Sequence, residues 1–212
     1  MHIACLHAHY SNINYIEKAL APYDVALTHF TDPALMHHFK ENQSFNPYRK
    51  VEEQIHWISS TNPDAILITC TNYILYLPTD INIDIPIIKI DEPFFHELDR
   101  YETARLYFTN PDTVQGTMDR LYSVNDKANS KRYLFEIIPN AFQLIMANRK
   151  NDYTKAIIEH VLNAEASGVI AFPQLSMVDA ATLIQSNSHV KIVTPIDALT
   201  VYLEREFCLI YK

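Results

Sequence analysis

Apolar runs alternate with helical patterns along the whole chain. The runs are continuous rather than alternating in polarity, which is typical of parallel strands covered on both faces. Within residues 153–166 the apolar positions recur about every four residues, which indicates a helix with one apolar stripe. The runs predict strands at 2–7, 24–30, 65–69, 85–90, 105–109, 132–138, 168–172 and 190–193. The segments between them predict helices at 12–21, 33–40, 49–60, 112–123, 140–147, 153–166 and 196–206, and one more that follows the strand 168–172 and ends at about residue 186.

Strand and helix alternate in both halves of the chain, which predicts right-handed βαβ units and an α/β fold. The halves can be overlaid, because Cys70 follows His7 at almost the same separation as Gln174 follows Thr109. We therefore predict two similar lobes with parallel sheets flanked by helices, related by a pseudo-twofold axis, with a cleft between the lobes. The predicted first lobe comprises residues 1–97 and 197–212, and the second comprises residues 98–196.

The loops that follow the predicted strands carry the candidate chemistry. Sheets of this kind bind ligands beyond the carboxyl ends of their strands. Here those ends lead into short loops rich in small polar residues, at 7–12, 70–73, 109–113 and 173–177. The second of these loops delivers a thiol, a hydroxyl and an amide to one spot. If the two halves face each other, all four loops border one cleft.

The charge of the chain argues against nucleic acid as a partner. The formal net charge is −8 at pH 7, and the basic cluster that stands out is the short segment 129–133, whereas nucleic-acid binding needs a basic face. No apolar run approaches the roughly 20 residues that cross a membrane, and the N-terminus does not resemble a signal peptide. We expect a cytoplasmic protein with neither a nucleic acid nor a membrane as partner, and a homo-oligomer is compatible with the sequence.

Cysteine and glycine usage excludes several classes of site. Cys5, Cys70 and Cys208 form no C-x-x-C pair, which fits a reducing compartment. Cys5 and Cys208 lie in apolar runs and read as small core residues. No spacing of histidine, cysteine and carboxylate fits a structural zinc site, so we expect no metal. Two glycines cannot supply a phosphate cradle or a dinucleotide fingerprint, and no organic cofactor is implied.

At its polar loops the sequence resembles the Asp/Glu/hydantoin racemase superfamily. DAILITCTNY (64–73) is similar to the first cysteine motif of that family, and LYFTNPDTV (106–114) is similar to its second-lobe strand with a Thr-containing loop. Residues 27–36, 139–157 and 168–177 resemble an uncharacterised branch of the family. The resemblance covers nearly the whole chain in the right order. It implies two α/β lobes with the active site between them, and a small carboxylate-containing substrate.

One departure from the family pattern concerns the second catalytic cysteine. Gln174 stands in its place after GVIAFP, and a glutamine amide cannot act as a general base. The resemblance therefore implies a catalytic position at Cys70, as the single acid/base group, and one at Gln174, which meets the substrate as an amide. It further implies substrate-binding residues in the polar loops, namely His7, Ser11, Thr71, Asn72, Thr109, Thr113 and Ser176.

Each of these residues also has a purely structural interpretation. Cys70 could be a small buried residue, and Thr71, Asn72 and Ser176 could cap the helices that follow them. Glu92 could act as an acid/base group, but an ordinary carboxylate at a helix start is the favoured interpretation.

Three functions are compatible with these residues. The first is a racemase-like enzyme that moves a proton at the carbon next to a carboxylate, in a racemisation, isomerisation or decarboxylation. The second is a non-catalytic carboxylate-binding protein on the racemase scaffold. The third, a Ser or Cys hydrolase, is less favoured because the chain has no G-x-S-x-G elbow.

Overall fold

The computed structural model describes residues 1–35, 38, 45–125, 132–164 and 168–212. Parts of the predicted helices 33–40 and 153–166, and of the basic segment 129–133, lie outside the described residues. The chain divides into two compact units, the first formed by Met1–Ile90 with Thr200–Lys212 and the second by Asp91–Leu199.

The first unit is built on a four-stranded parallel sheet. Its strands have the order β2-β1-β3-β4, and the inner pair, β1 and β3, is buried along almost its whole length. Continuous apolar runs suit these positions because helices and loops cover both faces of a parallel sheet. The elements are β1 (His2–His7), α1 (Ser11–Leu20), β2 (Ala26–Thr31), α2 (Pro47–Ser59), β3 (Ala65–Ile68), α3 (Thr71–Leu75) and β4 (Ile87–Lys89).

The second unit repeats this topology. Its strand order is β6-β5-β7-β8, again all parallel, so the predicted α/β fold with two similar parallel sheets is confirmed. The elements are α4 (Asp91–Leu98), β5 (Ala104–Phe108), α5 (Val114–Val124), β6 (Tyr133–Ile137), α6 (Ala141–Met146), α7 (Lys150–Asn163), β7 (Val169–Ala171), α8 (Val178–Asn187), β8 (Ile192–Val193) and α9 (Pro195–Glu206), whose last residues belong to the first unit.

Two apolar clusters cover the faces of the second sheet. Leu106 and Phe108 of β5 belong to one cluster, and Tyr107, between them, belongs to the other. This split follows from the alternation of side chains along a strand. The edge strand β6 departs from the sequence pattern, because Leu134 and Phe135 are more than half exposed. An edge strand has only one neighbour, and its apolar residues are not all enclosed.

The last residues of the chain pair with the first unit. Tyr211 forms an antiparallel bridge with Tyr23, and the Tyr23 hydroxyl donates to Oε1 of Glu204 at 2.5 Å. Among the described residues, no helix combines the length and apolar character needed to cross a bilayer.

Candidate functional site

Cys70 lies where β3 gives way to α3. Its backbone is extended (φ −123°, ψ 124°), and the helix begins at the next residue, Thr71. The residue is partly exposed. Burial raises the pKa of the Cys70 thiol above its ordinary value, while the backbone N–H groups of Tyr73 and Asn72 act in the lowering direction without overcoming it. The resting form at neutral pH is therefore the thiol rather than the thiolate.

His7 lies at the end of β1, fully buried, and both of its ring nitrogens have protein partners. Nδ1 lies 2.8 Å from Oγ1 of Thr69, and Nε2 lies 2.9 Å from Nδ1 of His29. Burial, with a smaller contribution from His29, lowers the pKa of His7 to about 4, so the ring is neutral. Contact of His7 with a substrate stays a prediction.

The hydrogen-bonded chain of His7 continues in two directions. The Thr69 hydroxyl donates to the carbonyl of Leu6 at 3.2 Å and accepts from Nδ2 of Asn12 at 3.4 Å. At the other end, Nε2 of His29 lies 3.0 Å from Oε1 of Glu17, whose side chain is 54% exposed. This series of hydrogen bonds thus connects Thr69, the residue before Cys70, with the partly exposed carboxylate of Glu17. Sequence analysis had not singled out Thr69, His29 or Glu17.

The first helix begins with a local turn. Nδ1 of His9 lies 2.8 Å from the hydroxyl of Ser11 and accepts from its backbone N–H at 3.2 Å. These contacts link Ser11 to its own loop. The substrate-binding role of Ser11, like those of Thr71 and Asn72, stays a prediction.

Asp32 and Tyr73 are further polar residues at this edge of the first sheet. The Tyr73 hydroxyl donates to the carbonyl of Asp32 at 3.0 Å, and the Asp32 carboxylate accepts from the side-chain amide of Gln54. Burial, followed by the charge of Asp32, raises the pKa of Tyr73. The signal in the sequence was the position of Asp32, directly after β2.

In the second unit, Gln174 holds two loops together. Its Oε1 accepts from the backbone N–H of Thr109 at 2.7 Å, from the Thr109 hydroxyl at 2.8 Å and from the backbone N–H of Asn110 at 3.3 Å. Its Nε2 donates to Oγ1 of Thr113 at 2.9 Å. The carbonyl oxygen of this amide accepts three hydrogen bonds, and the bond to Thr113 uses one of the two N–H groups of the side chain.

Tyr153 brings Ser176 into the same network. Its hydroxyl lies 3.0 Å from Oγ1 of Thr109 and 2.7 Å from the hydroxyl of Ser176. The structure thus brings together all four residues that the sequence proposed for the second lobe: Thr109, Thr113, Gln174 and Ser176. The apolar stripe predicted within residues 153–166 begins at Tyr153, whose ring is fully buried. Its hydroxyl reaches the strand ends and was missed.

Comparisons with known proteins rest on structure. No protein-family model matches the sequence, and no curated protein matches it either. The aspartate racemase of Picrophilus torridus superposes with a TM-score of 0.70 at 13% identity, over 100% of this chain and 96% of its own. The glutamate racemase of Campylobacter jejuni superposes with a TM-score of 0.70 at 12% identity, over 100% of this chain and 88% of its own.

An allantoin racemase from Klebsiella pneumoniae is also similar, with a TM-score of 0.67 at 14% identity, over 98% of this chain and 88% of its own. The chain has the fold of the Asp/Glu/hydantoin racemase superfamily. The resemblance first noted at short motifs therefore extends to the architecture of both units. Cys70 and Gln174 follow corresponding strands of this fold, because β3 and β7 hold the same place in the two sheet orders.

Proposed function

We propose that the protein is a cofactor-independent enzyme that transfers a proton at the carbon next to the carboxylate of a small substrate, with Cys70 as its acid/base residue. The observation that carries the proposal is the position of Cys70 on a racemase fold. The residue is partly exposed and follows the carboxyl end of a central strand, and the N–H groups of two following residues act on its thiol. Cys5, by contrast, is fully buried.

In the proposed reaction, the Cys70 thiolate removes the α-proton, and the electron pair of the C–H bond moves towards the carboxylate. The resulting thiol returns a proton to the same carbon. Exchange of the thiol proton with solvent between these steps places a solvent hydrogen on the substrate. Because the thiol is the resting form, we expect the reaction to accelerate as the pH rises.

The second unit supports one-sided chemistry in this proposal. Thr109, Thr113, Gln174 and Ser176 offer hydroxyls and one amide N–H, none of which is a general base at neutral pH. Such groups can hold a carboxylate or stabilise the developing charge. With one thiol as the base, removal and return of the proton occur on one face, which predicts exchange with retained configuration.

The decisive experiment follows hydrogen exchange in D₂O by NMR, with optical rotation recorded in parallel. The carboxylate substrates are aspartate, glutamate and substituted malonates, the last also monitored for CO₂ release. Allantoin and substituted hydantoins, whose acidic carbon lies next to a ring carbonyl, test whether the site accepts that group instead. Wild-type protein should exchange the α-proton of one class with its configuration retained, and Cys70→Ser should abolish the exchange. The prediction that Cys208 is a core residue is wrong, because the residue is exposed. Cys208→Ser is therefore the matched control and should exchange normally. Inversion as fast as exchange would reveal a second base.

A carboxylate-binding protein without catalysis is the second candidate. The raised pKa of Cys70 and the saturated carbonyl of Gln174 favour it, because both reduce the reactivity of the two catalytic positions. Calorimetric titration with the same compounds separates the two functions. Binding that survives in Cys70→Ser, with no exchange in either protein, would establish the binding function in place of the enzyme.

A further inference from the structure

Three potential metal ligands meet on one face of the first sheet. Cys5 and His7 are two residues apart on β1, so their side chains point to the same face. His29 on β2 is the register partner of Cys5 and shares that face. The Cys5 sulfur and one ring nitrogen of each histidine all lie within 4.8 Å of one another.

The hydrogen bonds of the two histidines aim their remaining nitrogens at each other. Nδ1 of His7 is held by Thr69 at 2.8 Å, and Nε2 of His29 is held by the Glu17 carboxylate at 3.0 Å. The other two nitrogens, Nε2 of His7 and Nδ1 of His29, are 2.9 Å apart. Histidines that bind metals commonly donate their second N–H to a carboxylate or another acceptor, which fixes the ring and its tautomer.

We propose that Cys5, His7 and His29 bind a single zinc ion, with Glu17 and Thr69 orienting the two histidine ligands. Thiolate and imidazole together suit a borderline-soft cation such as zinc. Tetrahedral zinc with ligands at about 2.1 to 2.3 Å separates those ligands by roughly 3.5 Å. In the structure the two facing nitrogens are 2.9 Å apart, and all three ligand atoms lie within 4.8 Å of one another. Small side-chain movements therefore suffice to bring the ligand atoms to the spacing that zinc requires.

Without a cation, one hydrogen links the two histidines. When zinc binds, the hydrogen between the rings shifts to the outer nitrogen of the ring that carries it. His7 then donates from Nδ1 to Thr69, whose own hydroxyl donates to the Leu6 carbonyl 3.2 Å away, and His29 donates from Nε2 to Glu17. The Cys5 thiol releases its proton to solvent and becomes a thiolate. The two positive charges of the ion are then balanced by the Cys5 thiolate and the partly exposed Glu17 carboxylate, so the site carries no net charge.

Burial makes this balance important. Cys5 and His7 are fully buried, where an unpaired charge is costly. The His29 side chain is 13% exposed beside the more exposed Glu17, which gives the ion a route from solvent. Three protein ligands leave one coordination position for water or another small ligand. The zinc proposal rests on the geometry of these three ligands and not on the reaction proposed at Cys70.

Cobalt substitution tests the proposal. The host protein is Cys70→Ser with Cys208→Ser, in which Cys5 is the remaining thiol. Added Co²⁺ should produce a thiolate-to-cobalt charge-transfer band with the visible bands of a tetrahedral ion, and Zn²⁺ should remove them. Adding Cys5→Ser should abolish the charge-transfer band, and His29→Gln should abolish tight binding. Glu17→Gln should weaken zinc binding about 10- to 100-fold.

Thermal unfolding provides a second readout in case Cys5→Ser does not fold. Zn²⁺ in excess should raise the Tm of the wild-type chain, because a ligand of the folded state stabilises it by mass action. The same Zn²⁺ should leave the Tm of His29→Gln unchanged. Failure of the host protein to form the cobalt bands, or an equal Tm rise in wild type and His29→Gln, would overturn the proposal.

Discussion

At the scale of single residues, the environment of Cys70 sets its chemistry. A cysteine at a strand end can be a reactive thiolate or an inert thiol, and the sequence alone left both open. In the structure, burial raises the pKa of the thiol and two backbone N–H groups offset part of that effect. The residue is thus available but not activated at rest, and its reactivity should depend steeply on pH.

We predict that alkylation of Cys70 by iodoacetamide is slow at neutral pH and rises about tenfold per pH unit. The physical reason is that the thiolate fraction grows tenfold per unit until the pH reaches the raised pKa. Mass spectrometry of Cys208→Ser protein measures the rate at pH 7, 8 and 9, and Cys5 should remain unmodified because it is fully buried. A plateau below pH 8 would show that the pKa is lowered instead.

Gly168, immediately before β7, is a second residue whose identity is dictated by its surroundings. Its φ is +91°, and an added Cβ would lie 2.9 Å from the carbonyl oxygen of Thr103. We predict that Gly168→Ala lowers the free energy of unfolding by about 1–3 kcal/mol, measured by urea unfolding. Gly116 lies inside helix α5, and Gly116→Ala, the matched control, should be neutral or stabilise by up to about 1 kcal/mol. Equal effects of both substitutions would refute the backbone argument.

At the scale of elements, side-chain hydrogen bonds tie the strand ends of the second unit together. β5 and β7 are neighbours in the sheet, and the loops that follow them are linked by Gln174. Tyr153 extends the link to helix α7. This arrangement gives Gln174 a structural role in addition to its proposed contact with a substrate.

We predict that Gln174→Ala lowers the free energy of unfolding by about 1–3 kcal/mol. The backbone N–H groups of Thr109 and Asn110 lose their acceptor, and the hydroxyls of Thr109 and Thr113 each lose one of their hydrogen bonds. Urea unfolding followed by circular dichroism measures the change. Gln115→Ala is the matched control: Gln115 donates a single exposed hydrogen bond to Asp119, so its loss should cost less than about 0.5 kcal/mol. If Gln174→Ala is as mild as the control, the network does not stabilise the unit.

At the scale of the whole molecule, the chain returns to its first unit after completing the second. Hydrogen bonds of Tyr23 attach this returning segment to the first unit. The Tyr23 hydroxyl lies 2.5 Å from Oε1 of Glu204 and 3.0 Å from the Tyr211 hydroxyl. The hydrogen bond to Glu204 is the main cause that raises the pKa of Tyr23. A raised pKa of an acid means that the folded state retains a proton that the unfolded chain releases.

We predict that stability falls as the pH rises above about 10, the ordinary pKa of tyrosine. In that range the folded state binds more protons than the unfolded state, so the free energy of unfolding decreases with pH. Urea unfolding at intervals from pH 8 to 11 measures the slope, and Tyr23→Phe should make it shallower. Glu204→Gln, which removes the carboxylate but keeps the length of the side chain, should do the same. An unchanged slope in both variants would show that this cluster does not contribute.

The sequence by itself determined the strands and helices, and the strand ends at which chemistry could occur. Continuous apolar runs and helical stripes depend on neighbouring residues, so they predicted the two parallel sheets and placed Cys70 and Gln174 at strand ends. The motif resemblance identified the racemase fold that the structural comparisons confirm. Polar loops after the strands of the second unit likewise predicted Thr109, Thr113, Gln174 and Ser176, which the structure joins in one network.

Only the tertiary structure decided which distant residues meet. Spacing along the chain showed no metal site, yet the register of β1 and β2 places His29 beside Cys5. The Tyr153 hydroxyl reaches Ser176 across the packing of helix α7, although its ring belongs to an apolar stripe. The pKa of Cys70 depends on how deeply the fold buries the thiol. Strand register, helix packing and burial are set by contacts between residues far apart in sequence. Local periodicity depends on neighbouring residues, so it cannot predict these contacts.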